Sequence, residues 1–437
     1  MRGIISFLKV ASVSLCRTAY PMQRTRSHLT RLGLGLLSLS LPTGAARLPG
    51  SEPPRQFQIE APRPTREQIS RAIELSAGYM ERACGPDGKF VYLVNIDSGK
   101  KSESYNVVRH AGAMYALAML NQVHPDPQAR DAMVRAAGFL HQNYIGPGVH
   151  PDQSVVWSEP LAQRSKSRHH DAELGATGLS LVALSELRHV EPKSVPLEQL
   201  QAMGRFLLFL QKDDGSFVHK YRVESGPVQD WDVLYYPGEA ALGLVALYEA
   251  DHSRDWLVAA GKALSFLAKS RAGHSTVPAD HWALMATAKL LPYCDQISCP
   301  GSSREELVNH AIQICNSIVR EQFRGSVAAG IDGAFDPTGR TAPTATRLEG
   351  LLAAMEFLQP SEPRTKIEAV IDRGISFMVR AQVSSGPYSG GVPGAFAISS
   401  HDSSDIRIDY VQHTLSAWLR YERLLQGEIL SRKKITP

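Results

Sequence analysis

The sequence predicts an all-α fold, a closed ring of helical hairpins called an (α/α)6 toroid. Two observations support it. Apolar helices rich in Ala and Gly recur along the 437-residue chain, and each follows a more amphipathic helix. Helices that are apolar on most sides must be enclosed by other helices, whereas burial of one face leaves apolar residues at intervals of three and four. Six inner helices surrounded by six outer helices satisfy both patterns.

An open α-solenoid would show the same alternation of helices. We favour the closed ring because the hairpins number six and both ends of the helical region carry a complete one. In that ring the last inner helix must lie beside both the first and the fifth. The predicted outer helices are 66–83, 128–143, 197–212, 254–270, 304–321 and 365–382, and the predicted inner helices are 109–120, 171–188, 236–250, 280–291, 344–358 and 409–425.

The long connections run from outer to inner helix in five of the six hairpins, and the returns are shorter. Asp-Gly and Ser-Gly turns next to Phe, Val, Tyr and Trp predict short β-hairpins in these long loops. All of the long loops must then lie on one rim of the ring, above the N-terminal ends of the inner helices. Concave, loop-walled places of this kind are where ligand pockets form.

The first 46 residues have the order of a secretory signal. Arginines follow Met22, an apolar run covers 32–41, and small residues end at Ala46. The apolar run is too short to span a bilayer, and a disordered basic leader is the alternative. We expect an exported protein, periplasmic or extracellular, without a membrane span in its mature chain. The predicted segments are a leader (1–46), a linker (47–65), the toroid (66–426) and a tail (427–437).

Charge and cysteine content exclude several classes of function. The net charge is +4 and the positive excess lies near the N-terminus, so the toroid has no nucleic-acid-binding surface. Cys294 and Cys299 would form a small disulfide in an exported protein, and two free thiols are the alternative. No Cys/His cluster has the spacing of a zinc site. Because P-loop, Rossmann and nucleophile-elbow motifs are also absent from the sequence, we expect neither a metal nor a cofactor.

Every predicted inner helix begins with charged or aromatic residues. The carboxylates have a simple structural explanation, since Asp caps helices and Glu is favoured in a first turn. Cations such as Arg109 and Arg347 oppose the helix dipole at that position, so their recurrence indicates an anionic ligand or a buried carboxylate network. The aromatic side chains suit sugar rings, whose C–H faces stack on them, although part of them are expected only to pack the loops onto the ring.

Two segments, "YYPGEAALGLVALYE" (235–249) and "YNVVRHAG" (105–112), resemble segments of (α/α)6-toroid carbohydrate-active enzymes. These enzymes are six-hairpin glycosidases, polysaccharide lyases and glucuronyl C5-epimerases. The stretches "FLLFLQKDDGSF" and "RGISFMVRAQVSSGPYSGGVPGAF" are similar to repeats of squalene-cyclase and prenyltransferase toroids, but a DxDD-type acid and the prenyltransferase zinc ligands are not evident. Both resemblances imply an α-toroid, and the first implies a glycan substrate.

The predicted rim carries the groups for two reactions on a polysaccharide or oligosaccharide. Glycoside hydrolysis needs two carboxylates beside the bond. Abstraction of the C5 proton of a uronic acid, by a lyase or an epimerase, needs a Tyr or His base and cations on the substrate carboxylate. The candidate catalytic residues are Glu239, Asp232, Asp409, Glu173, Tyr236, Tyr410, His110 and His413. The candidate substrate-binding residues are Arg109, Tyr235, Trp231, Trp157, Trp282, Arg347, Glu349 and Arg407.

Two further functions stay open at this point. The same rim could bind a glycan or a protein partner without chemistry, in the handling of an envelope polysaccharide. A terpene-cyclase-like toroid is the other alternative. The sequence does not predict the oligomeric state.

Glu239 is the most specific of the candidates. The proline two residues before it fixes the start of its helix, so Glu239 falls in the first turn, where unpaired N–H groups and the dipole stabilise an ionised carboxylate. We expect it to project into the central cavity and to share a polar cluster with Arg109 or His110, Glu173 and Asp409. A cation there would hold it ionised, as a base or an electrostatic anchor.

Overall fold

The computed structural model describes residues 63–164, 166–167, 169–296, 303–325, 330–396 and 403–427. Thirteen α-helices occur within these ranges, and all but one short turn correspond to predicted helices. The helices are α1 (Arg66–Ala83), α2 (Val107–Val123), α3 (Pro127–Asn143), α4 (Leu161–Arg164), α5 (Leu174–Val190), α6 (Leu197–Leu210), α7 (Tyr236–Asp251), α8 (Arg254–Arg271), α9 (His281–Leu290), α10 (Arg304–Glu321), α11 (Thr341–Ala354), α12 (Glu362–Ala381) and α13 (Ile408–Leu425), with a 3₁₀ helix at Leu291–Gln296.

The outer layer consists of α1, α3, α6, α8, α10 and α12. Local sequence sets where these helices begin. At α1 the Thr65 hydroxyl accepts from the backbone N–H of Gln68, and the Gln68 side chain accepts from that of Thr65. Ser303 and Glu306 form the same reciprocal cap at α10. Each outer helix buries one apolar face, as the amphipathic pattern predicts.

The inner layer consists of α2, α5, α7, α9, α11 and α13, and each of these helices packs against the next. The last, α13, packs against both α11 and α2, so the ring is closed and the predicted neighbours of the last inner helix are confirmed. Small residues permit the close approach: a Cβ on Gly178 of α5 would lie 2.9 Å from the Cα of Ala240 in α7. The chain therefore has the predicted all-α toroid.

Short antiparallel strands occur in the rim loops. They are β1 (Leu93–Asn95), β2 (Ile145–Pro147), β3 (Ser154–Val156), β4 (Asp171–Glu173), β5 (Lys220–Arg222), β6 (Gly226–Pro227) and β7 (Asp405–Arg407). The pairs β2–β3 and β5–β6 are hairpins within one loop, as predicted. By contrast, β4 pairs with β5 of the next rim loop, and β1 pairs with β7 of the last loop. Residues 171–173, predicted as the start of an inner helix, are extended because they pair with β5.

The opposite rim, at the C-terminal ends of the inner helices, carries a partly buried ionic network. Lys289 Nζ of α9 lies 3.1 Å from Glu186 Oε1 of α5 and 2.6 Å from Glu249 Oε2 of α7. Arg420 Nη1 of α13 lies 2.6 Å from Glu356 Oε1. Cations are favoured near helix C-termini. The network therefore crosslinks neighbouring inner helices.

No helix within the described ranges has the length and apolar character that crossing a membrane requires. The predicted leader, nearly all of the linker and all but the first residue of the tail lie outside the described residues. Cys299 also lies outside them, so its predicted disulfide with Cys294 stays a prediction. The described cysteines, Cys84, Cys294 and Cys315, are buried.

Candidate active site

Three side chains from consecutive inner helices meet at the N-terminal rim. They are His281 of α9, Glu349 of α11 and His413 of α13. His413 Nδ1 lies 2.6 Å and His281 Nε2 lies 3.8 Å from the same oxygen, Glu349 Oε2. The two imidazole centroids are 5.4 Å apart. The side chains of His281 and Glu349 are 1% and 0% exposed, and that of His413 is 13% exposed. These three residues are called the histidine cluster below.

Local sequence explains why the cluster forms. Asp280 is fully buried and caps α9, because its Oδ1 accepts from the backbone N–H three residues on at 3.0 Å and its Oδ2 accepts from Arg271 Nη2 at 2.8 Å. This cap fixes the first turn of α9, which carries His281. α11 approaches α9 closely at Gly350, where a Cβ would lie 3.0 Å from the Cα of His281. The glycine thus allows the adjacent Glu349 to reach His281.

His281 packs against aromatic rings, and its two ring nitrogens make no hydrogen bond within the described residues. The rings of Tyr235 and Trp282 pack against it, with centroid distances of 4.7 Å and 5.0 Å. Burial, and to a smaller degree neighbouring cationic groups, lowers the pKa of His281 well below its usual value, so the ring is neutral near pH 7. Among the described residues, neither ring nitrogen has a hydrogen-bond partner, and neither has Glu349 Oε1. Buried polar atoms without a partner are rare and call for an explanation such as a ligand or catalysis.

His413 has a defined tautomer. A carboxylate only accepts hydrogen bonds, so the Nδ1 of His413 carries the hydrogen that it donates to Glu349 Oε2. Gln412 Nε2, which can only donate, lies 3.2 Å from the same nitrogen, so this contact is not a hydrogen bond in the tautomer that donates to Glu349. The lone pair of the neutral ring is therefore on Nε2. A carboxylate bonded to the other nitrogen orients the imidazole and stabilises its protonated form.

A second cluster joins the first and last inner helices. Arg407 donates to both oxygens of Asp409, at 2.6 Å and 2.9 Å, and Arg109 Nε donates to Asp409 Oδ2 at 3.0 Å. Arg109 also donates to the Tyr92 hydroxyl. Burial alone would raise the pKa of Asp409, but the two arginines, helped by His413, lower it below its usual value. Two guanidinium groups share one carboxylate, so this cluster carries one positive charge in excess.

A third cluster lies at the start of α5 and α7. The Tyr236 hydroxyl donates to Glu173 Oε2, and Lys220 Nζ lies 3.0 Å from Glu173 Oε1. Burial, and after it Glu173, raises the pKa of Tyr236, so the phenol keeps its proton. Lys220 Nζ also lies 3.7 Å from Asp171 Oδ2 and 3.3 Å from the ring centroid of Trp231, which is 42% exposed. A carboxylate, a phenol and an exposed indole thus occur side by side.

Glu239 lies in the first turn of α7, as predicted, but its surroundings differ from the expectation. Its carboxylate is directed at α5, where a Cβ on Gly175 would collide with it and with the Tyr236 ring. Glu239 is 4% exposed, and its Oε2 has no hydrogen-bond partner in the described part of the chain. Burial, then the charges of Asp280 and Glu173, raises the pKa of Glu239 well above its usual value. The expected ionised carboxylate beside a cation is therefore replaced by a carboxyl group that favours its protonated form.

Two other candidates are engaged away from the histidine cluster. The ring nitrogens of His110 contact the Tyr105 hydroxyl at 2.7 Å and the carbonyl oxygen of Ala136 at 2.9 Å. Burial lowers the pKa of His110 to about 4, so it is a neutral residue bonded between α2 and α3. Asp232 has a 91% exposed side chain and lies 2.8 Å from His219 Nδ1. Neither residue is bonded to the histidine cluster.

The remaining candidates have partners within the protein. Arg347 Nε donates to Glu321 Oε2 at 2.6 Å, so a protein carboxylate balances this cation. Trp157 is 2% exposed and belongs to the hydrophobic core. Tyr410 is buried, and the guanidinium carbon of Arg407 lies 4.4 Å from its ring centroid. Neither ring offers an exposed face for stacking.

Several residues of these clusters, His281 and Lys220 among them, were not candidates from the sequence. His281 is the second residue of the predicted inner helix 280–291, and the string "DHW" held the signal, but Trp282 was the residue chosen from it. Lys220 lies in a rim loop, and nothing in its sequence context indicates that β5 pairs with β4. That pairing places Lys220 opposite Glu173.

No protein-family model matches the sequence, and no curated protein matches it. Solved structures do share its fold. A cellobiose 2-epimerase from Bacillus thermoamylovorans aligns with a TM-score of 0.63 and 10% identity over 82% of this chain and 99% of its own. A D-mannose isomerase aligns with a TM-score of 0.62 and 10% identity over 85% of this chain and 100% of its own. An unsaturated glucuronyl hydrolase specific for heparin aligns with a TM-score of 0.56 and 12% identity over 84% of this chain and 100% of its own. This chain therefore has the (α/α)6-toroid fold of carbohydrate-active enzymes, as its sequence predicts.

Proposed function

We propose that this chain moves a proton at a carbon atom next to the carbonyl group of a sugar, and thereby epimerises or isomerises the sugar. The observation that carries the proposal is the histidine cluster, in which two imidazoles lie 5.4 Å apart with a carboxylate between them. Imidazole is the side chain most often used for general acid–base catalysis near pH 7. The names of two fold neighbours, a 2-epimerase and an isomerase, support this choice.

His413 is the proposed base. Its Nε2 carries the lone pair, while Nδ1 donates to Glu349. When Nε2 takes the proton from carbon, the Glu349 carboxylate stabilises the resulting imidazolium. The electrons of the broken C–H bond move to the carbonyl and give an enediolate. Glu349 acts through His413 and is a positioning residue in this scheme.

His281 is the proposed second group. Its two nitrogens are buried and have no hydrogen-bond partner in the described residues, and its Nε2 lies 3.8 Å from the same Glu349 oxygen that His413 contacts. An epimerisation returns the proton to the other face of the same carbon, so His281, which is buried and neutral in the free protein, has to become exposed and protonated when the sugar binds. An isomerisation returns it to the neighbouring carbon. In both reactions the sugar gains and loses no atoms.

The arginine–aspartate cluster suits the charge of the intermediate. Arg109, Arg407 and Asp409 together carry one positive charge in excess, and Asp409 is close enough to His413 for their charges to interact. A fixed positive charge beside a developing oxyanion lowers the barrier to its formation. The same pairing favours a neutral sugar over the uronate considered from the sequence, because a substrate carboxylate would have to compete with Asp409.

Glycoside hydrolysis is a second candidate, favoured by one observation. Burial raises the pKa of Glu239 and so favours its protonated form, and Glu173 is one of the two acidic groups whose charge acts on it. An acid and a carboxylate at the same bond are the requirement for hydrolysis. The burial of Glu239 against Gly175 weighs against this candidate, since a general acid must reach the glycosidic oxygen.

Exchange of sugar hydrogen with solvent tests the proposal. The protein is incubated in D2O with reducing sugars that include glucose, mannose, cellobiose and glucuronate, and proton and carbon NMR follow the products. We expect an epimer or ketose that carries deuterium on the carbon next to the carbonyl. His413→Asn should abolish the exchange, and His124→Asn, at an exposed His–carboxylate pair of the opposite rim, should leave it intact.

Other outcomes would contradict the proposal. New reducing ends without deuterium on carbon would indicate hydrolysis, and an unsaturated uronate would indicate a lyase. Sugar binding without any new product would indicate a glycan-binding toroid.

We also propose that the chain is exported and that the mature protein begins near Arg47 or Leu48. The support is the order of charged, apolar and small residues after Met22. N-terminal sequencing of the protein from its native host checks this. Retention of residues 22–46 in the soluble protein would contradict it.

A further inference from the structure

The histidine cluster has the composition of a metal-binding site. One ligand atom each from His281, Glu349 and His413 lies within 4.8 Å of the others. We propose that these residues bind a divalent transition-metal ion such as Zn²⁺, and that the bound ion inhibits the enzyme. The inhibition rests on the proton transfer proposed above, whereas the binding does not.

The donor set and its spacing fit such an ion. Two imidazoles and one carboxylate with an open fourth position are a common set for Zn²⁺, which has bonds of about 2.0–2.2 Å to nitrogen and oxygen. Two ligand atoms of a tetrahedral site are then about 3.4 Å apart. The separations from Glu349 Oε2 are 3.8 Å to His281 Nε2 and 2.6 Å to His413 Nδ1, which bracket that value. Shifts of under about 1 Å would therefore complete the site.

Unpaired buried atoms are the second observation. Both nitrogens of His281 and Oε1 of Glu349 lack a hydrogen-bond partner among the described residues, although these side chains are 1% and 0% exposed. Because these atoms are buried, bulk water cannot supply the hydrogen bonds that they lack. A metal ion held by His281 Nε2 and the Glu349 carboxylate would engage a nitrogen that the protein leaves unbonded.

The residues around the histidine cluster indicate that the metal ion would have three protein ligands rather than four. The Tyr235 and Trp282 rings pack against His281, and a hydrophobic shell of this kind limits access of solvent to a metal. The exposed part of His413 leaves room for water or a sugar hydroxyl as the fourth ligand. An ion bound to Nδ1 of His413 would leave the hydrogen of the neutral ring on Nε2, and Nε2 could then no longer accept the proton from the sugar.

Metal titration tests the binding without any assay of activity. Protein without a polyhistidine tag is treated with chelator and titrated with Zn²⁺ by calorimetry, and Co²⁺ is added separately to record its visible spectrum. We expect one ion per chain and a Co²⁺ spectrum of tetrahedral intensity. His281→Ala and Glu349→Gln should each weaken binding by at least about 100-fold, while His124→Ala, in an exposed His–Glu pair, should not. Circular dichroism confirms that each variant is folded, and Glu349→Gln preserves the side-chain volume if His281→Ala unfolds.

The outcomes separate the two proposals. Wild-type protein that takes up no stoichiometric ion, or variants that bind as tightly as the wild type, would overturn the metal site. Turnover of sugar that continues at saturating Zn²⁺ would overturn the inhibition. Stoichiometric Zn²⁺ binding lost in the variants, in a protein that exchanges no sugar hydrogen, would support the metal site and contradict the proposed function.

Discussion

At the C-terminal rim, Lys289 lies between the carboxylates of Glu186 and Glu249. At the N-terminal rim, by contrast, His281 and Glu349 keep polar atoms without a partner among the described residues. Burial alone would raise the pKa of Glu186, but Lys289 and hydrogen-bond donors lower it well below the usual value. The pKa of His281 is lowered chiefly by burial. The carboxylates of the C-terminal rim thus have cations as partners, although Arg420 Nε lacks a hydrogen bond, whereas His281 at the N-terminal rim has no hydrogen-bond partner on either ring nitrogen within the described residues.

This difference assigns the two rims different roles. A buried charge is tolerated when a partner offsets its desolvation, and removing the partner is strongly destabilising. Uncompensated groups with shifted pKa values are instead typical of functional sites. We therefore expect substitutions at the C-terminal rim to change the free energy of unfolding, and substitutions at the N-terminal rim to change turnover.

The largest effect is expected at His413. His413→Gln keeps a side chain of similar size but removes the basic nitrogen, so the rate of hydrogen exchange at the sugar carbon should fall about 10³-fold. The melting temperature should stay close to that of the wild type, since the ring is partly exposed and Gln can still donate to Glu349. If His413→Gln lost much of its stability but kept its exchange rate, the N-terminal rim would have the structural role that we assign to the C-terminal rim.

The next largest effect is expected at Lys289. Lys289→Met leaves Glu186 and Glu249 close together without their cation, and should lower the free energy of unfolding by about 3 kcal/mol. Urea denaturation measures this change, and the exchange rate per folded molecule should be unaltered. Lys262→Met, at an exposed lysine of α8, is the matched control and should change stability by less than about 0.5 kcal/mol.

A smaller effect is expected at Gly350. Gly350→Ala places a methyl group 2.9 Å from Leu284 Cδ1 and 3.0 Å from the Cα of His281, so α9 and α11 must move apart. Overpacking of this kind should cost about 2 kcal/mol and should also slow exchange, because His281 moves away from Glu349. In Gly138→Ala the new methyl group meets no atom within 4 Å, and the higher helix propensity of Ala should stabilise α3 by up to about 1 kcal/mol. An unchanged exchange rate in Gly350→Ala would show that catalysis by the histidine cluster does not depend on the spacing of α9 and α11.

The smallest effect, and the one that depends most on pH, is expected at Glu239. The pKa of Glu239 is raised in the folded protein, so the stability it contributes is present below its unfolded pKa of about 4.3 and is lost as the pH rises towards the folded value. Glu239→Gln does not titrate, and its stability relative to the wild type should therefore rise with pH, reaching about 1 kcal/mol or more by pH 8. Thermal unfolding between pH 4 and pH 8 measures the trend.

Glu186→Gln provides the contrast for Glu239. The folded pKa of Glu186 is lowered, so its contribution is present above the unfolded pKa and is lost as the pH falls. This variant should be most destabilised relative to the wild type near neutral pH and less so in acid. If the stability of Glu239→Gln and that of Glu186→Gln, each relative to the wild type, changed with pH in the same direction, the difference between the rims would be contradicted.

The fold could be predicted from the sequence because its evidence is local. The alternation of amphipathic and Ala/Gly-rich helices needs no knowledge of distant contacts, and the ends of α1 and α10 are fixed by adjacent capping residues. Strand pairing is a property of two loops at once. For that reason the extended residues 171–173, which pair with β5, were wrongly assigned to a helix.

The site could be predicted only as a set of residues on one rim. Glu349 and His413 were both candidates, but their bond joins positions far apart in the chain. Helix α11 begins at Thr341 rather than at residue 344, which places Glu349 deeper in the ring than its sequence position indicates. The direction of Glu239 depends on Gly175 of the neighbouring helix, and a helix-start motif holds no information about that neighbour.

The pairing of β1 with β7 has a consequence for how the protein is made. Besides these strands, Arg66 Nη2 donates to the carbonyl oxygen of Leu425, 359 positions away. Contacts between such distant positions carry a large entropic cost of loop closure and form late in folding. During synthesis the first hairpins can assemble while the last is still inside the ribosome, and the ring stays open until α13 arrives. Because α13 brings His413, we expect the nascent chain to have neither a closed ring nor the histidine cluster until its last hairpin has emerged.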